Sequence, residues 1–515
     1  MNKRALVLCL VPIAWLALSV AVERATGPFS PFDPDYYYLL SSLDLAELRT
    51  IGTYHHPGTT VQAFGAGVMW TVHWWTGETG GIQQSVLRHP EFYLQAIHYG
   101  ISVVVALAIL ALGAGTARVT SLWLGVLLQL SVFLTPVIAA ETIGRFQPEP
   151  FLVVTGLLFT ALMVMFSRGE PSGNPRLATA FGLVCGFGVA TKFTFVPVAI
   201  IPLLLLTDRK SRVRFGLSGM AAFVLFTLPI ANSYTKLIGW TANVASHKGI
   251  YGGGEPGIVD LDAYLRGFQL LFALNPFLDV VIVLAAAAIL VAIVTTYRQH
   301  RSWPAGREFT ALCATVASLL LAFIVVAKYA SFANVSRYLV GSYCLMGLTL
   351  WLSAEVLGGF EVARSRTVRW AVFALFLLPA LPRLARVPAE FANQLQVQAS
   401  ARDHYLARDS DIIALDTEPF SSFARIYDTG VRSPVHALMQ AAFYSTQQVD
   451  GLVAAYPSVF FCLATCTAKD WATTTLISVD ASKTYSAAEI AARFVGKMVL
   501  VSGTPPTVQV VRLEQ

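Results

Sequence analysis

Charged side chains are scarce in this 515-residue sequence. Asp, Glu, Lys and Arg make up 13% of it, whereas 55% of the residues are hydrophobic and the mean hydropathy is +0.61. Soluble domains carry about twice that charged fraction. Because several apolar stretches reach about 20 residues, enough to cross a bilayer as a helix, the composition predicts a polytopic membrane protein. The formal net charge of +6 does not indicate nucleic-acid binding, since the basic residues stand in short clusters between apolar runs.

Cysteine is also infrequent. Four of the six cysteines lie in apolar segments and are predicted to be inert core residues: Cys9, Cys185, Cys313 and Cys344. Cys462 and Cys466 stand in a polar segment, where they could pair in an oxidising compartment, although a single strand would hold them too far apart. Both alternatives remain open.

The apolar residues are grouped in eleven runs. They cover residues 5–22, 91–113, 119–140, 150–167, 177–190, 193–206, 213–232, 277–297, 309–327, 338–357 and 369–385. Each run is predicted to be a transmembrane helix. The first follows Lys3 and Arg4, and its length favours an uncleaved anchor over a signal peptide.

Every second connection between these runs is basic. With the N-terminus in the cytoplasm, the cytoplasmic connections carry Arg118, Arg168 and Arg176, Arg209 to Arg214, Arg298 to Arg307, and Arg364 to Arg369. This alternation agrees with the positive-inside rule and predicts a multi-pass protein of the inner or plasma membrane. The unusual polar residues fall in the remaining connections, so the candidate site is predicted to face the outside or the periplasm.

After Arg386 the sequence becomes mixed and polar for about 130 residues, enough for a small domain. Residues 411–418 and 458–465 and the two segments around Thr504-Pro505-Pro506 have strand patterns, and 486–494 has a helical one. We therefore predict a transmembrane domain over 1–385, with a first external loop (23–90) that carries juxtamembrane helices. A small α/β or α+β extracytoplasmic domain is predicted over 386–515.

Four motifs in the apolar part share the predicted outer side. They are FDPDYYYLL with YHHPGTTVQ in the first loop, ETIGRFQPEPFLVV at 141–154, GLVCGFGVATKFTFV at 182–196 and SRYL at 336–339. Their order and spacing resemble those of the GT-C membrane glycosyltransferases, in particular the protein O-mannosyltransferase and aminoarabinose-transferase-like branch. The resemblance spans about residues 1–360. It implies a GT-C-like helical membrane fold and a polyprenyl-phosphate sugar as donor.

The Asp-Glu pair of that branch is here Asp33-Pro34-Asp35, and His56-Pro57-Gly58 stands where the branch has His-Pro-Pro. Alignment on the tyrosines places Asp33 on the family's catalytic aspartate and leaves Asp35 as an extra acid or as the true one. A carboxylate here could take the proton from an acceptor hydroxyl that attacks an anomeric carbon. The alternative is that the aspartates only form a turn and a helix N-cap.

Further candidates lie in later outer connections. Glu141 and Glu149 flank a short loop, where one of them could orient the acceptor, the base or a metal, or both could simply be solvated. Lys192 lies between two apolar runs, where an ionisable residue is costly and often functional, unless it only snorkels to the interface. Arg337 begins an outer helix and suits a leaving phosphate, or serves as an interfacial anchor.

Histidines and a glycine-rich loop add substrate-binding candidates. His56 is one, and His247 and Lys248 precede the loop of SHKGIYGGGEPG, which lacks the Gly-Lys-Ser/Thr ending of a P-loop and is predicted to be a flexible lid. Adjacent His55 and His56 point apart and no third ligand has metal spacing, so no metal ligands are assigned. No cofactor is required by the sequence, and a divalent metal remains an alternative.

The predicted activity is transfer of a sugar, with inversion, from a polyprenyl-phosphate donor to an extracytoplasmic lipid, glycan or protein. The donor class follows from the predicted side of the membrane, where nucleotide sugars are generally absent. The competing predictions are a secondary transporter and a non-catalytic membrane scaffold with an outer binding domain. Against a transporter, the charged residues cluster on one side, and the sequence shows no repeated halves with matching broken helices.

Overall fold

The computed structural model is helical through the apolar part of the chain. It describes residues 3–26, 35–51, 54–168, 174–249, 252–304, 306–329 and 335–358, five single positions between 382 and 392, and six short strands. The α-helices are α1 (Lys3–Thr26), α2 (Asp35–Ala46), α3 (Thr59–Thr76), α4 (Ile82–Arg88), α5 (Pro90–Val119), α6 (Leu122–Leu130), α7 (Pro136–Ala140), α8 (Glu149–Arg168), α9 (Pro175–Thr191), α10 (Val196–Ala199), α11 (Ile201–Leu205), α12 (Arg209–Thr227), α13 (Tyr234–Ser246), α14 (Leu261–Leu274), α15 (Pro276–His300), α16 (Arg307–Tyr329), α17 (Val340–Tyr343) and α18 (Met346–Val356). Short 3-10 segments cover Ser131–Phe133, Phe193–Phe195, Leu228–Ser233 and Val335–Leu339.

Six helical stretches in the described residues are long and apolar enough to cross a membrane. They are Arg4–Ala25, Pro90–Val119, Glu149–Arg168, Arg209–Ser246, Phe277–His300 and Arg307–Ile324. A seventh span is formed if the pair Ser336–Tyr343 and Met346–Val356, bent by 45°, counts as one. The chain is thus a multi-pass membrane protein, while the count of eleven helices stays a prediction, since most of run 369–385 lies outside the described residues.

Two predicted spans are interrupted at prolines. Run 119–140 divides into α6, a 3-10 turn and α7, which has Pro136 in its first turn. Run 193–206 divides into a 3-10 turn, α10 and α11, with Pro197 and Pro202 in the first turns of the two helices. Proline removes a backbone donor and clashes with the preceding turn, so it starts a helix more readily than it continues one.

Helices α9 and α12 pack closely through glycine. A Cβ at Gly182 or Gly186 would overlap backbone atoms of α12 around Gly219. Small residues four positions apart let two backbones approach in this way. After α9 the chain turns back at Lys192, where Phe195 packs against Gly188 so closely that a Cβ there would overlap its ring.

The end of α8 that carries Arg168 is held by α18. Arg168 forms an ion pair with Glu355, and its guanidinium carbon lies 5.5 Å from the centre of the Trp351 ring. The Trp351 indole Nε1 donates to Glu355 Oε1 at 3.0 Å. Residue Glu149 begins the same helix, so α8 carries charged contacts at both of its ends.

The chain folds as two compact units. The first comprises Met1–Val22, Tyr54–Val61 and His98–Val387, and the second comprises Glu23–Thr53, Gln62–Ile97 and Pro388–Gln515. In the second unit, Asp35 is the fully buried first residue of α2, and the Tyr36 hydroxyl donates to Glu91 Oε1 at 2.9 Å. The predicted division at 385 stays a prediction.

The C-terminal segment contains three strand pairs. The strands are β1 (Ile412–Ala414), β2 (Phe460–Cys462), β3 (Leu476–Ile477), β4 (Thr484–Tyr485), β5 (Met498–Ser502) and β6 (Val508–Arg512). Strands β1 and β2 are parallel, whereas the other two pairs are antiparallel. Strands β1, β2, β5 and β6 lie within segments predicted as strands from the sequence. The helix expected at 486–494 and the pairing of Cys462 with Cys466 fall outside the described residues.

Candidate anion site

A buried cluster of charged side chains lies in the first unit. Glu149 is fully buried, and its Oε1 lies 2.5 Å from Lys192 Nζ, which belongs to a residue only 2% exposed. Arg337 is on the 3-10 segment Val335–Leu339, with its Nε 3.8 Å from the same carboxylate oxygen. Three distant parts of the chain therefore meet around one carboxylate.

The break after α9 brings Lys192 into this cluster. Lys192 follows the last residue of the helix in an extended conformation, with φ −162° and ψ 133°. Had α9 continued, its side chain would have followed the helical spiral. The extended residue instead directs its ammonium group to Glu149, at the start of α8.

An aromatic ring completes the cationic side of the cluster. Lys192 Nζ lies 4.4 Å from the centre of the Tyr338 ring, and the Arg337 guanidinium carbon lies 5.3 Å from it. A ring face attracts a cation at such distances. The ring helps to hold two like charges together, and its role was not predicted, although Tyr338 is adjacent to Arg337 in the sequence.

Two cations and one carboxylate form the centre of this cluster. Lys192 and Arg337 contribute two positive charges, and Glu149 contributes one negative charge. The second carboxylate oxygen of Glu149, Oε2, is buried and has no hydrogen-bond partner in the described part of the chain. Two cations held side by side are suited to bind an anion through charge-assisted hydrogen bonds.

Glu141 lies at the end of α7, close enough to Lys192 for an electrostatic interaction. The Gln147 amide Nε2 donates to the Glu141 backbone carbonyl at 2.8 Å and to its Oε2 at 3.0 Å. This fixes the short loop between the two glutamates predicted from the sequence. Gln147, fully buried, was not among the predicted residues.

The loop that carries His56 is anchored beside Lys192. The Gly58 N–H donates to the Thr191 carbonyl at 3.2 Å, and the Thr60 and Thr191 hydroxyls lie 2.8 Å apart. Because the Thr191 hydroxyl also bonds the Phe187 carbonyl at 2.9 Å, Thr60 is the donor of this pair. The loop turns through left-handed residues at His56 (φ 61°) and Gly58 (φ 68°).

Histidine and tryptophan rings form an aromatic group on this loop. His55 and His56 lie edge to face with Trp240 of α13, at 5.5 and 5.0 Å between centroids. Desolvation, with smaller contributions from the charges of Lys192, His55 and Arg337, holds the pKa of His56 well below its usual 6.5. His56 is thus neutral near pH 7, and nothing in the sequence singled out Trp240 as its neighbour.

The remaining predicted residues lie elsewhere. Asp33 is outside the described residues, and Asp35 belongs to the second unit. Lys248 lies on the loop after α13, where its ammonium is 3.8 Å from the exposed Glu255 carboxylate. His247 is half-buried at the start of that loop and bonds Asn243 and Ser246. No group of three potential metal ligands occurs within the ranges that the structure describes.

Comparison with known proteins gives low similarity throughout. No family model and no curated protein matches the chain. Among solved structures, ArnT from Cupriavidus metallidurans bound to undecaprenyl phosphate is similar with a TM-score of 0.45 and 12% identity, over 86% of this chain and 87% of that one. The oligosaccharyltransferase of Archaeoglobus fulgidus is similar in its apo form (TM-score 0.42, 12% identity, 84% of this chain and 65% of that one) and in its complex with Zn and sulfate (0.39, 12%, 82% and 61%). Scores this low do not assign the chain to a family.

Proposed function

We propose that this chain is an integral membrane glycosyltransferase of the GT-C type, which transfers a sugar from a polyprenyl-phosphate donor to an extracytoplasmic lipid, glycan or protein. The observation that carries the proposal is the meeting of Lys192 and Arg337 at one buried carboxylate, Glu149, among apolar helices. A lipid phosphate supplies both an anion for the cations and a tail for the apolar surroundings.

In the proposed reaction, an acceptor hydroxyl attacks the anomeric carbon while a base takes its proton. The bond between that carbon and the phosphate oxygen breaks, and the configuration inverts. The donor phosphodiester carries one negative charge, whereas the departing polyprenyl phosphate gains a second. Lys192 and Arg337 would stabilise this developing charge, because a site with little water strengthens charge-assisted hydrogen bonds.

Asp33 is the proposed base, with Asp35 as the alternative, and Glu141 would orient the acceptor or the base. Glu149 would hold the two cations in place rather than contact the sugar. His56, neutral near pH 7, would donate a hydrogen bond to the phosphate, and His247 and Lys248 would contact the donor from the loop after α13. A divalent metal stays an alternative to these side chains as a partner of the phosphate.

The test of this proposal is the binding of undecaprenyl phosphate to the purified protein in detergent, measured by titration against undecaprenol, which has the same tail and no phosphate. We expect undecaprenyl phosphate to bind more tightly. Arg337→Gln and Lys192→Met should each weaken its binding about 10- to 100-fold, since a hydrogen bond to a charged group contributes about 1.5–3 kcal/mol. Arg176→Gln is the matched control, because Arg176 is exposed at the other end of α9. Equal affinity for the two lipids would overturn the proposal.

Sugar transfer itself needs a cellular test. Lipids from a deletion strain, compared with wild type by mass spectrometry, should contain an accumulated polyprenyl-phosphate sugar. Complementation with wild type, but not with Arg337→Gln, should remove it. An unchanged lipid profile together with an unchanged envelope glycan would contradict the transferase activity.

A further inference from the structure

A buried amide joins two segments of the candidate site. Asn275 lies between α14 and α15 and is 3% exposed. The Thr135 hydroxyl donates to its Oδ1 at 2.7 Å, and its Nδ2 donates to the Ser336 hydroxyl at 3.1 Å. Thr135 and Ser336 are also buried, and all three residues belong to the first unit.

The orientation of this amide is determined by its partners. Asn275 Nδ2 also lies 3.5 Å from the Leu271 carbonyl, which can only accept a hydrogen bond. The nitrogen must therefore face Leu271 and Ser336, and the oxygen must face Thr135. Both ends of the side chain are used, so the amide fixes the spacing of the segments on its two sides.

Each of these segments leads to a charged residue of the site. Thr135 caps α7, since the Val137 N–H bonds its hydroxyl at 3.4 Å, and Glu141 follows the last residue of that helix. On the other side, Ser336 directly precedes Arg337 in the 3-10 segment Val335–Leu339. The amide thus connects the part of the chain that ends at Glu141 with the part that carries Arg337.

The 3-10 geometry explains how a contact at Ser336 acts on Arg337. With three residues per turn, neighbouring side chains point about 120° apart. When Ser336 faces Asn275, Arg337 is directed to a different side, where its Nε lies 3.8 Å from Glu149 Oε1. A five-residue 3-10 segment has few hydrogen bonds of its own, so its rotation depends on such side-chain contacts.

We propose that Asn275 is a positioning residue for the anion site. Through Ser336 it fixes the rotation of the 3-10 segment, so that the Arg337 guanidinium faces the buried carboxylate and the donor phosphate. Through Thr135 it holds this segment at a fixed position relative to the segment that ends at Glu141. The inference rests on the proposed function, since the anion is taken to be the phosphate of the donor.

The first test is the dissociation constant for undecaprenyl phosphate of Asn275→Leu, a substitution with the same branched shape and no hydrogen-bonding groups. We expect it to rise about tenfold, because Arg337 would lose its orientation. Gln129→Leu is the matched control: the Gln129 amide is equally buried and bonds the Leu8 and Ile109 carbonyls at 3.0 and 3.1 Å, on other helices. It should lower Tm while leaving the dissociation constant within about twofold.

The deciding measurement is a double-mutant cycle with Arg337→Ala. If Asn275 acts through Arg337, Asn275→Leu has no further effect on binding in the Arg337→Ala background. If the two substitutions instead raise the dissociation constant by independent factors that multiply in the double variant, Asn275 has a general structural role and the inference is overturned. Should Asn275→Leu not fold, Ser336→Ala removes the same tether and should give the same cycle, and an unchanged dissociation constant for it would also overturn the inference.

Different results would overturn the proposed donor site and the proposed role of Asn275. If Arg337→Ala and Lys192→Ala both bind undecaprenyl phosphate as wild type does, the proposed donor site is wrong and the positioning role has no anion to serve. If Arg337→Ala weakens binding and Asn275→Leu does not, the donor site stands and only the role of Asn275 is wrong.

Discussion

Glu149 and Lys192 form a fully buried ion pair, with 2.5 Å between Oε1 and Nζ, although 43 residues separate them in the sequence. The pair joins the first residue of α8 to the residue that follows α9. Two charges removed from water must satisfy one another, because solvent no longer compensates either of them. The pair therefore holds the start of α8 against the residue that follows α9.

Replacing the carboxylate should be costly for stability. Glu149→Ala leaves Lys192 buried without the carboxylate that pairs with it, so we expect the free energy of unfolding to fall by about 3–5 kcal/mol. Thermal unfolding of the detergent-solubilised protein measures this loss. Glu255→Ala is the control, since the exposed pair of Glu255 with Lys248 should contribute no more than about 1 kcal/mol. Similar Tm values for the two variants would contradict the buried pair.

Stability should depend on pH through His56. Its pKa in the folded protein is below 6.5, so the unfolded chain binds a proton at a higher pH than the folded chain does. The stabilisation is complete above pH 6.5 and is lost as the pH falls toward the lowered pKa, at about 1.4 kcal/mol per pH unit. Unfolding of wild type and His56→Gln, compared between pH 7.5 and 5, tests this prediction. We expect the variant to lose less stability on acidification; equal losses would show that His56 does not titrate with unfolding.

Asp33 should be the base for the transfer reaction. Asn at this position keeps the size of the side chain but cannot take a proton, so transfer should fall by about two or more orders of magnitude while the protein still inserts. Asp35→Asn should cost less. If the rates show the reverse order, the base is Asp35 and the alignment is wrong by two residues. If neither substitution slows transfer, the two aspartates have a structural role only.

The C-terminus should lie outside the cytoplasm. The prediction follows from eleven spans and from the basic residues in every second connection. A C-terminal reporter that is active only in the cytoplasm should give no signal, and the same reporter at the N-terminus should be active. A strong C-terminal signal would reverse the orientation of the last span and place residues 386–515 in the cytoplasm.

Local patterns predicted much of the helical part. The apolar runs at 91–113 and 150–167 correspond to α5 and α8, because length and hydropathy are properties of a single segment. The interruptions at Pro136 and Pro197 also follow from single residues. They were not predicted, because hydropathy alone predicts one continuous span for an apolar run that contains proline. The strand segments of the C-terminal region were similarly readable from their alternation.

The contacts between side chains within the site could not be predicted in the same way. The sequence placed Lys192, Arg337 and Glu149 on one side of the membrane, but it did not show that one carboxylate would receive both cations. That arrangement depends on the packing of helices far apart in the chain. Trp240 and Asn275 gave no signal for the same reason: each resembles an ordinary aromatic or amide residue until the elements around it are assembled.

The charged contacts at both ends of α8 limit how this helix can move. The helix has 20 residues and is about 30 Å long, and it is attached to Lys192 at its first residue and to Glu355 and Trp351 at its last. A shift of α8 along its axis, or a turn about it, would break an ion pair at each end at once. We therefore expect α8 to keep its position when a ligand binds, so that any movement that admits the ligand occurs in neighbouring elements.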